Sequence, residues 1–133
     1  MTIALVLLGT AGSLLSLHAA LAAYGRVTDG PAACADDGTA CDSVFRTPAA
    51  RIFGVPNAVI GLGYYALVIT GALLGTAASA AFVVVLRAAG VSTVAVGIYL
   101  SYQLLFRLRM SCPVCFASHA LNASILILLF LYA

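Results

Sequence analysis

The sequence predicts an all-α integral membrane protein, an antiparallel bundle of four transmembrane helices with an extracytoplasmic lid loop. Three observations carry that expectation. Of the 133 residues, 64% are hydrophobic and 8% charged, with a mean hydropathy of +1.15. A soluble domain of this size has no use for so much apolar surface, so the bilayer is its solvent. Charge-poor runs long enough to cross a hydrocarbon layer of about 30 Å recur along the chain. Only residues 26–56 are polar enough to form a sizeable loop, and they hold all four aspartates. The whole chain, 1–133, reads as one membrane domain with helices at about 2–24, 57–75, 80–108 and 112–133.

The first run, residues 1–25, carries no side-chain charge and is long enough to span. A signal peptide would show a basic stretch ahead of the apolar one, and none is present. Gly9, Gly12, Ser13 and Ser16 supply the small residues that membrane helices use for close approach. His18 reads as a hydrogen-bonded or interfacial histidine rather than a ligand.

Residues 26–56 follow as the lid, with turn signals at Asp29-Gly30-Pro31 and Asp37-Gly38. A short helical turn is expected over 42–46, ahead of Pro48. Val44, Phe45, Ile52 and Phe53 give the lid an apolar underside. From Ile52 to Leu86 no residue is charged, too long a stretch for one span. Asn57 is the expected N-cap of the second helix, and a break near 75–79 gives sensible lengths on both sides. Arg87 falls two turns inside the third helix. A charge at the bilayer centre costs about 2.5 kcal/mol or more, so Arg87 is expected to snorkel to the near surface. Arg107 and Arg109 end that helix, and the fourth starts at Cys112.

Four cysteines form two close pairs, Cys34/Cys41 in the lid and Cys112/Cys115 at the head of the last helix. Two cysteines three apart can form and break a disulfide. Pro113 suits a first helical turn, which sets Cys112 at the positive end of the helix dipole and favours its thiolate. A lone C-x-x-C is equally compatible with a structural disulfide or half of a zinc site. The topology adds weight to redox chemistry: two spans separate the pairs, so both lie on one side of the membrane and can meet. Zinc sites built from four cysteines staple small soluble modules, which this chain is not. A net charge of +2 on scattered arginines gives no basis for nucleic-acid binding.

Orientation brings two arguments into conflict. Five of the six arginines lie at the cysteine end, which by the positive-inside rule would put the cysteines in the cytosol. Disulfide chemistry favours an oxidising compartment. The expectation adopted is an extracytoplasmic position for both pairs.

These residues resemble the vitamin K epoxide reductase family. Cys34, Cys41 followed by Val44 and Thr47, Asn57 ahead of a glycine- and tyrosine-bearing helix, Tyr99-Leu100, and Cys112-Pro-Val-Cys115 opening the last span carry the likeness, from about residue 34 to the end. Other four-helix quinone-linked disulfide oxidases, represented by the bacterial disulfide-bond protein B, place their C-x-x-C ahead of the second pair. The resemblance implies a relay. Cys34 would meet a secreted or membrane-tethered thioredoxin-like partner, Cys41 would attack Cys112, and Cys115 would face a quinone. It also implies that Asn57 hydrogen-bonds a quinone carbonyl, that Tyr64 and Tyr65 pack on the ring, and that Phe45 and Leu100 close the pocket. For each aromatic, plain bundle packing is the rival reading. Thr47 stands where the family usually has serine. His119 stands where the vertebrate enzymes have a tyrosine that helps bind vitamin K, one turn beyond Cys115.

The expected function is a membrane thiol–disulfide oxidoreductase that relays two electrons to a quinone (ubiquinone, menaquinone or vitamin K), without metal or flavin, in support of disulfide-bond formation. Reduction of vitamin K epoxide by the same four cysteines is the alternative within the class. A non-enzymatic membrane subunit braced by two disulfides is the alternative outside it. Arginine without lysine, together with alanine-rich helices, points to a bacterial cytoplasmic membrane.

Overall fold

The computed structural model describes residues 1–26, 44–75, 79–109 and 112–132. Cys34, Cys41 and the turn signals at 29–31 and 37–38 lie outside the described residues. Within them are four helices long and apolar enough to cross a membrane. They are α1 (Thr2–Ala23), α2 (Asn57–Leu74), α3 (Ala80–Tyr102, continued by π-helical Gln103–Leu108) and α4 (Pro113–Tyr132). The 22 residues of α1 amount to about 33 Å of helix, one hydrocarbon thickness. The expected all-helical membrane bundle is the fold of this chain.

Helix ends follow local chemistry. Gly75 closes α2 in the left-handed region at φ 69°, where a Cβ would be strained. Ser79 caps α3 by accepting from Phe82 N–H at 3.4 Å. The N-cap of α2 is Pro56, not Asn57 as expected; Asn57 is the first helical residue and makes no capping bond. The cause is a two-residue hairpin, β1 (Arg51–Ile52) against β2 (Val55–Pro56), which delivers the chain straight into α2.

Lipid tails are as apolar as leucine, so the helices are held by close contact rather than by escape from water. α1 lies antiparallel along α2 through small residues. A Cβ on Gly9 would come 2.7 Å from Ile69 Cγ1, one on Gly12 would run into the Tyr65 ring, and Ser16 lies against Gly61. α4 packs along α3 and against α1, while the α2–α3 seam is sparse. The buried side chains form two groups. One, at the termini end, contains Leu5, Tyr65, Val68, Leu86, Ile125 and Leu129. The other, at the cysteine end, joins Ala19, Ala22 and Ala23 to Val44, Phe45, Leu104, Cys112 and Val114.

One further expectation is corrected. Phe53 is not on the underside of the lid: Ile52 pairs with Val55, which leaves Phe53 and Gly54 as the hairpin turn, both at positive φ, with the Phe53 side chain fully exposed. Arg87 reaches the last turn of α4, at the near end of the bundle. Its Nε and Nη2 donate to the Leu129 carbonyl at 3.0 and 2.9 Å, and its guanidinium lies 4.9 Å from the Phe130 ring centre. That carbonyl belongs to the last turn of α4, where helices leave acceptors without partners and a cation is favoured. Arg51 does the same at the other end, donating to Gly54 O at 3.1 Å and to Ala23 O, in the last turn of α1, at 3.4 Å.

Candidate functional site

The site is built on the start of α4. Cys112 and Cys115 are joined by a disulfide with their Cα atoms 5.2 Å apart. Cys112 immediately precedes the first helical residue, Pro113, and its Sγ accepts the Cys115 backbone N–H at 3.3 Å. A sulfur thus occupies the place of a capping oxygen, at the positive end of the helix dipole. That field favours a thiolate on Cys112 whenever the disulfide opens.

The two sulfurs have different surroundings. Cys112 is fully buried among Val44, Phe45, Leu104 and Val114. Cys115 is half-buried and lines a cavity of 340 Å³ to which all four helices and residues 44–56 contribute. That size is in the range of small-molecule pockets, and an apolar wall with a few polar groups is their usual chemistry. Val44 and Phe45 roof the cavity where they cover the disulfide. The turn holding them is closed by Thr47, whose N–H and Oγ1 both donate to the Val44 carbonyl, Oγ1 at 2.7 Å.

The residues singled out from sequence divide by place. Phe45, Asn57, Tyr65, Leu100, Cys115 and His119 line this one cavity. Tyr64 does not. It turns toward α3, where its Oη lies near Gly90, and packs in the termini-end group. Neighbours in a helix point about 100° apart, and here only Tyr65 of the pair lines the cavity. Cys34 and Cys41 lie outside the described residues.

Other polar residues join the lining: Ser16, Ser92, Thr93, Gln103, Ser118 and Asn122. Gln103 opens the π-helical stretch and donates through Nε2 to Tyr99 Oη at 2.9 Å. Such wide turns recur beside functional sites. Asn122 had a legible signal. Residues 115, 119 and 122 follow the i, i+4, i+7 spacing of one helix face.

His119 occupies a recess in α3 made by Gly97; a Cβ there would come 2.8 Å from His119 Nδ1. Both ring nitrogens of His119 and Oδ1 of Asn122 are buried without a hydrogen-bond partner. Unpartnered polar atoms inside a bundle cost about 1–3 kcal/mol each.

The chain is similar to known proteins over nearly its whole length. The Vitamin K epoxide reductase family model matches residues 3–130. Vitamin K epoxide reductase complex subunit 1 of Rattus norvegicus is 34% identical over 144 residues, covering 96% of this chain and 86% of the rat protein. With a disulfide at the head of a membrane helix opening on an apolar cavity, and a family match that extends across all four spans, the chain belongs to the vitamin K epoxide reductase family.

Proposed function

We propose that the protein is a thiol oxidase that takes two electrons from a secreted or membrane-tethered thioredoxin-like protein and reduces a membrane quinone. The observation that carries this reading is the asymmetry of the disulfide: Cys115 faces the cavity, while Cys112 faces the segment that leads back to Cys41. Val44 packs in the same group as Cys112 and is three residues from Cys41, a tether of at most about 11 Å.

In the relay, Cys34 and Cys41 are reduced by exchange with the partner dithiol, which leaves as a disulfide. A Cys41 thiolate then attacks Cys112 Sγ and Cys115 leaves as the thiolate. Cys34 displaces Cys112 from the mixed disulfide, closing Cys34–Cys41 and leaving Cys112 and Cys115 reduced. Re-forming the Cys112–Cys115 bond sends two electrons, with two protons, to the quinone and yields the hydroquinone. In this reading Asn57 and His119 would meet the two ring oxygens, and Phe45, Tyr65 and Leu100 would supply apolar walls; all five line the cavity. A hydrogen-bond donor at an oxygen that gains negative charge is worth more in the transition state than in the ground state.

The experiment is quinone reduction driven by a thioredoxin-like donor rather than by a small dithiol that can bypass the lid. Cys41→Ser should disconnect donor from quinone, whereas Cys34→Ser should still form a Cys41–Cys112 disulfide. A Cys41→Ser variant at the full donor-driven rate would remove the relay. Orientation is tested separately. Membrane-impermeant thiol reagents should reach Cys34 or Cys41 in reduced intact cells, and labelling only after lysis would reverse the sidedness. Reduction of vitamin K epoxide is a second reading, favoured by the name of the rat relative. Conversion of the epoxide to the quinone, with the epoxide oxygen leaving as water, at a rate matching quinone turnover would establish it.

A further inference from the structure

We propose that the 51–56 hairpin is a lipid anchor: its tip carries the Phe53 ring into the headgroup–acyl boundary of the bilayer while its base forms part of the cavity wall. The inference concerns how the lid is held to the membrane, and it holds whatever acceptor the cavity takes.

Phe53 is the most exposed of the large apolar side chains described, and its backbone sits at φ 52°. The first position of a two-residue hairpin turn suits asparagine, aspartate or glycine. A bulky side chain is strained there, so the turn itself gives no reason for a phenylalanine. Strain of this kind is kept where the residue has a use. The rest of the hairpin is already accounted for. Ile52 and Pro56 line the cavity, whereas Phe53 belongs neither to that lining nor to either packed group, and Val55 beside it is exposed as well.

The tip stands at the membrane boundary. The 18 residues of α2 amount to about 27 Å, less than a hydrocarbon layer of about 30 Å, so Asn57 at its head lies no higher than the edge of that layer. Each strand of the hairpin has two residues, about 7 Å, roughly the depth of one headgroup layer. Arg51 moors the turn at this level. Its Nη1 donates to the Gly54 carbonyl at 3.1 Å, and its Nη2 donates at 3.4 Å to the carbonyl of Ala23, the last residue of α1. An arginine beside an apolar ring is the composition of an interfacial anchor. Below the hairpin, α2 presents Ile60, Leu67 and Leu74, exposed and seven apart, a stripe that lipid must cover. The hairpin thus stands at the head of a lipid-covered helix, which favours lipid over a soluble protein as the occupant.

The chain has no tryptophan, so Phe53→Trp places a single fluorescent reporter at the tip. The variant is reconstituted in phosphatidylcholine vesicles and in vesicles whose phosphatidylcholine is brominated high on the acyl chains. Its emission should be blue-shifted from that of free tryptophan and lowered at least two-fold by the brominated lipid. Acrylamide in the aqueous phase should quench it several-fold less than it quenches free tryptophan. Ile98→Trp, exposed in the body of α3, calibrates full access to lipid. Val55→Trp is read in the same way if the Phe53 variant does not fold. Quenching by acrylamide as in free tryptophan, with none from lipid, would put the tip in water. Shielding from both quenchers would mean that protein covers the ring. Either result overturns the proposal.

Discussion

The cysteine end and the termini end of the bundle use the same few residue types and differ in what they leave unfilled. At the termini end Leu5, Val68, Leu86, Ile125 and Leu129 pack with almost no exposure, and the one charge, Arg87, spends its donors on the last turn of α4. Toward the cysteine end a 340 Å³ cavity lies between the helices, while buried polar atoms without a partner occur at both ends, on His119 and Asn122 beside the cavity and at Tyr64 Oη in the packed group. In lipid, a helix gains nothing by exchanging one apolar neighbour for another, so cohesion comes from contact. A bundle that forgoes contact at one end must hold together at the other. The comparison teaches that stability and chemistry are divided along the membrane normal, and substitutions should sort accordingly.

The largest effect is expected at Cys115, the sulfur that faces the cavity. Cys115→Ser should lower dithiothreitol-driven quinone reduction by a thousand-fold or more, about 4 kcal/mol of barrier, with little change in melting temperature. Retention of more than a tenth of the rate would mean that electrons leave from another sulfur. Next comes Leu86→Ala, in the packed half, where no solvent or ligand touches the side chain. It should cost about 2–5 kcal/mol of stability, read as a lower melting temperature in detergent, while kcat per folded molecule stays at the parent value. A variant that melts normally but turns over slowly would blur the division between the two ends.

How much of this was legible depended on the range of the signal. Helix ends showed because their causes are local: Gly75, Ser79 and Pro113 each act within a few residues. The hairpin over 51–56 did not, since two-residue strands have no period to read, and with it went the placement of Phe53 and of the α2 cap. The destination of Arg87 was hidden for another reason, its acceptor lying 42 residues away on another helix. In the site, Cys115, Asn57 and His119 followed from family likeness and spacing, and all three line the cavity. Asn122 was visible as a polar residue in an apolar run, but only its register with Cys115 and His119 separates it from Ser124, which bonds its own helix.

Two smaller effects sharpen the comparison. His119→Ala should lower turnover about ten-fold, roughly 1.4 kcal/mol of barrier, with thiol exchange between the cysteine pairs intact. His119→Tyr should recover part of the loss, because a phenol also donates. Parent-like turnover in His119→Ala would make the residue a packing element. Smallest is Arg87→Met, which keeps the stem but frees the Leu129 carbonyl. It should lower stability by about 1–2 kcal/mol and leave the KM for quinone unchanged. A shift in KM would show that the clamp on α4 reaches the cavity.

The central claim is that the Cys112–Cys115 pair passes two electrons directly to a quinone in the cavity. It is tested most directly by a single turnover, anaerobically, on a Cys34→Ser/Cys41→Ser variant reduced beforehand and freed of reductant. Mixing with excess menadione should give one menadiol per chain as the Cys112–Cys115 disulfide returns, and no menadiol once Cys115 is also replaced by serine. Menadione left unreduced, with both thiols still free in the properly folded variant, would contradict it.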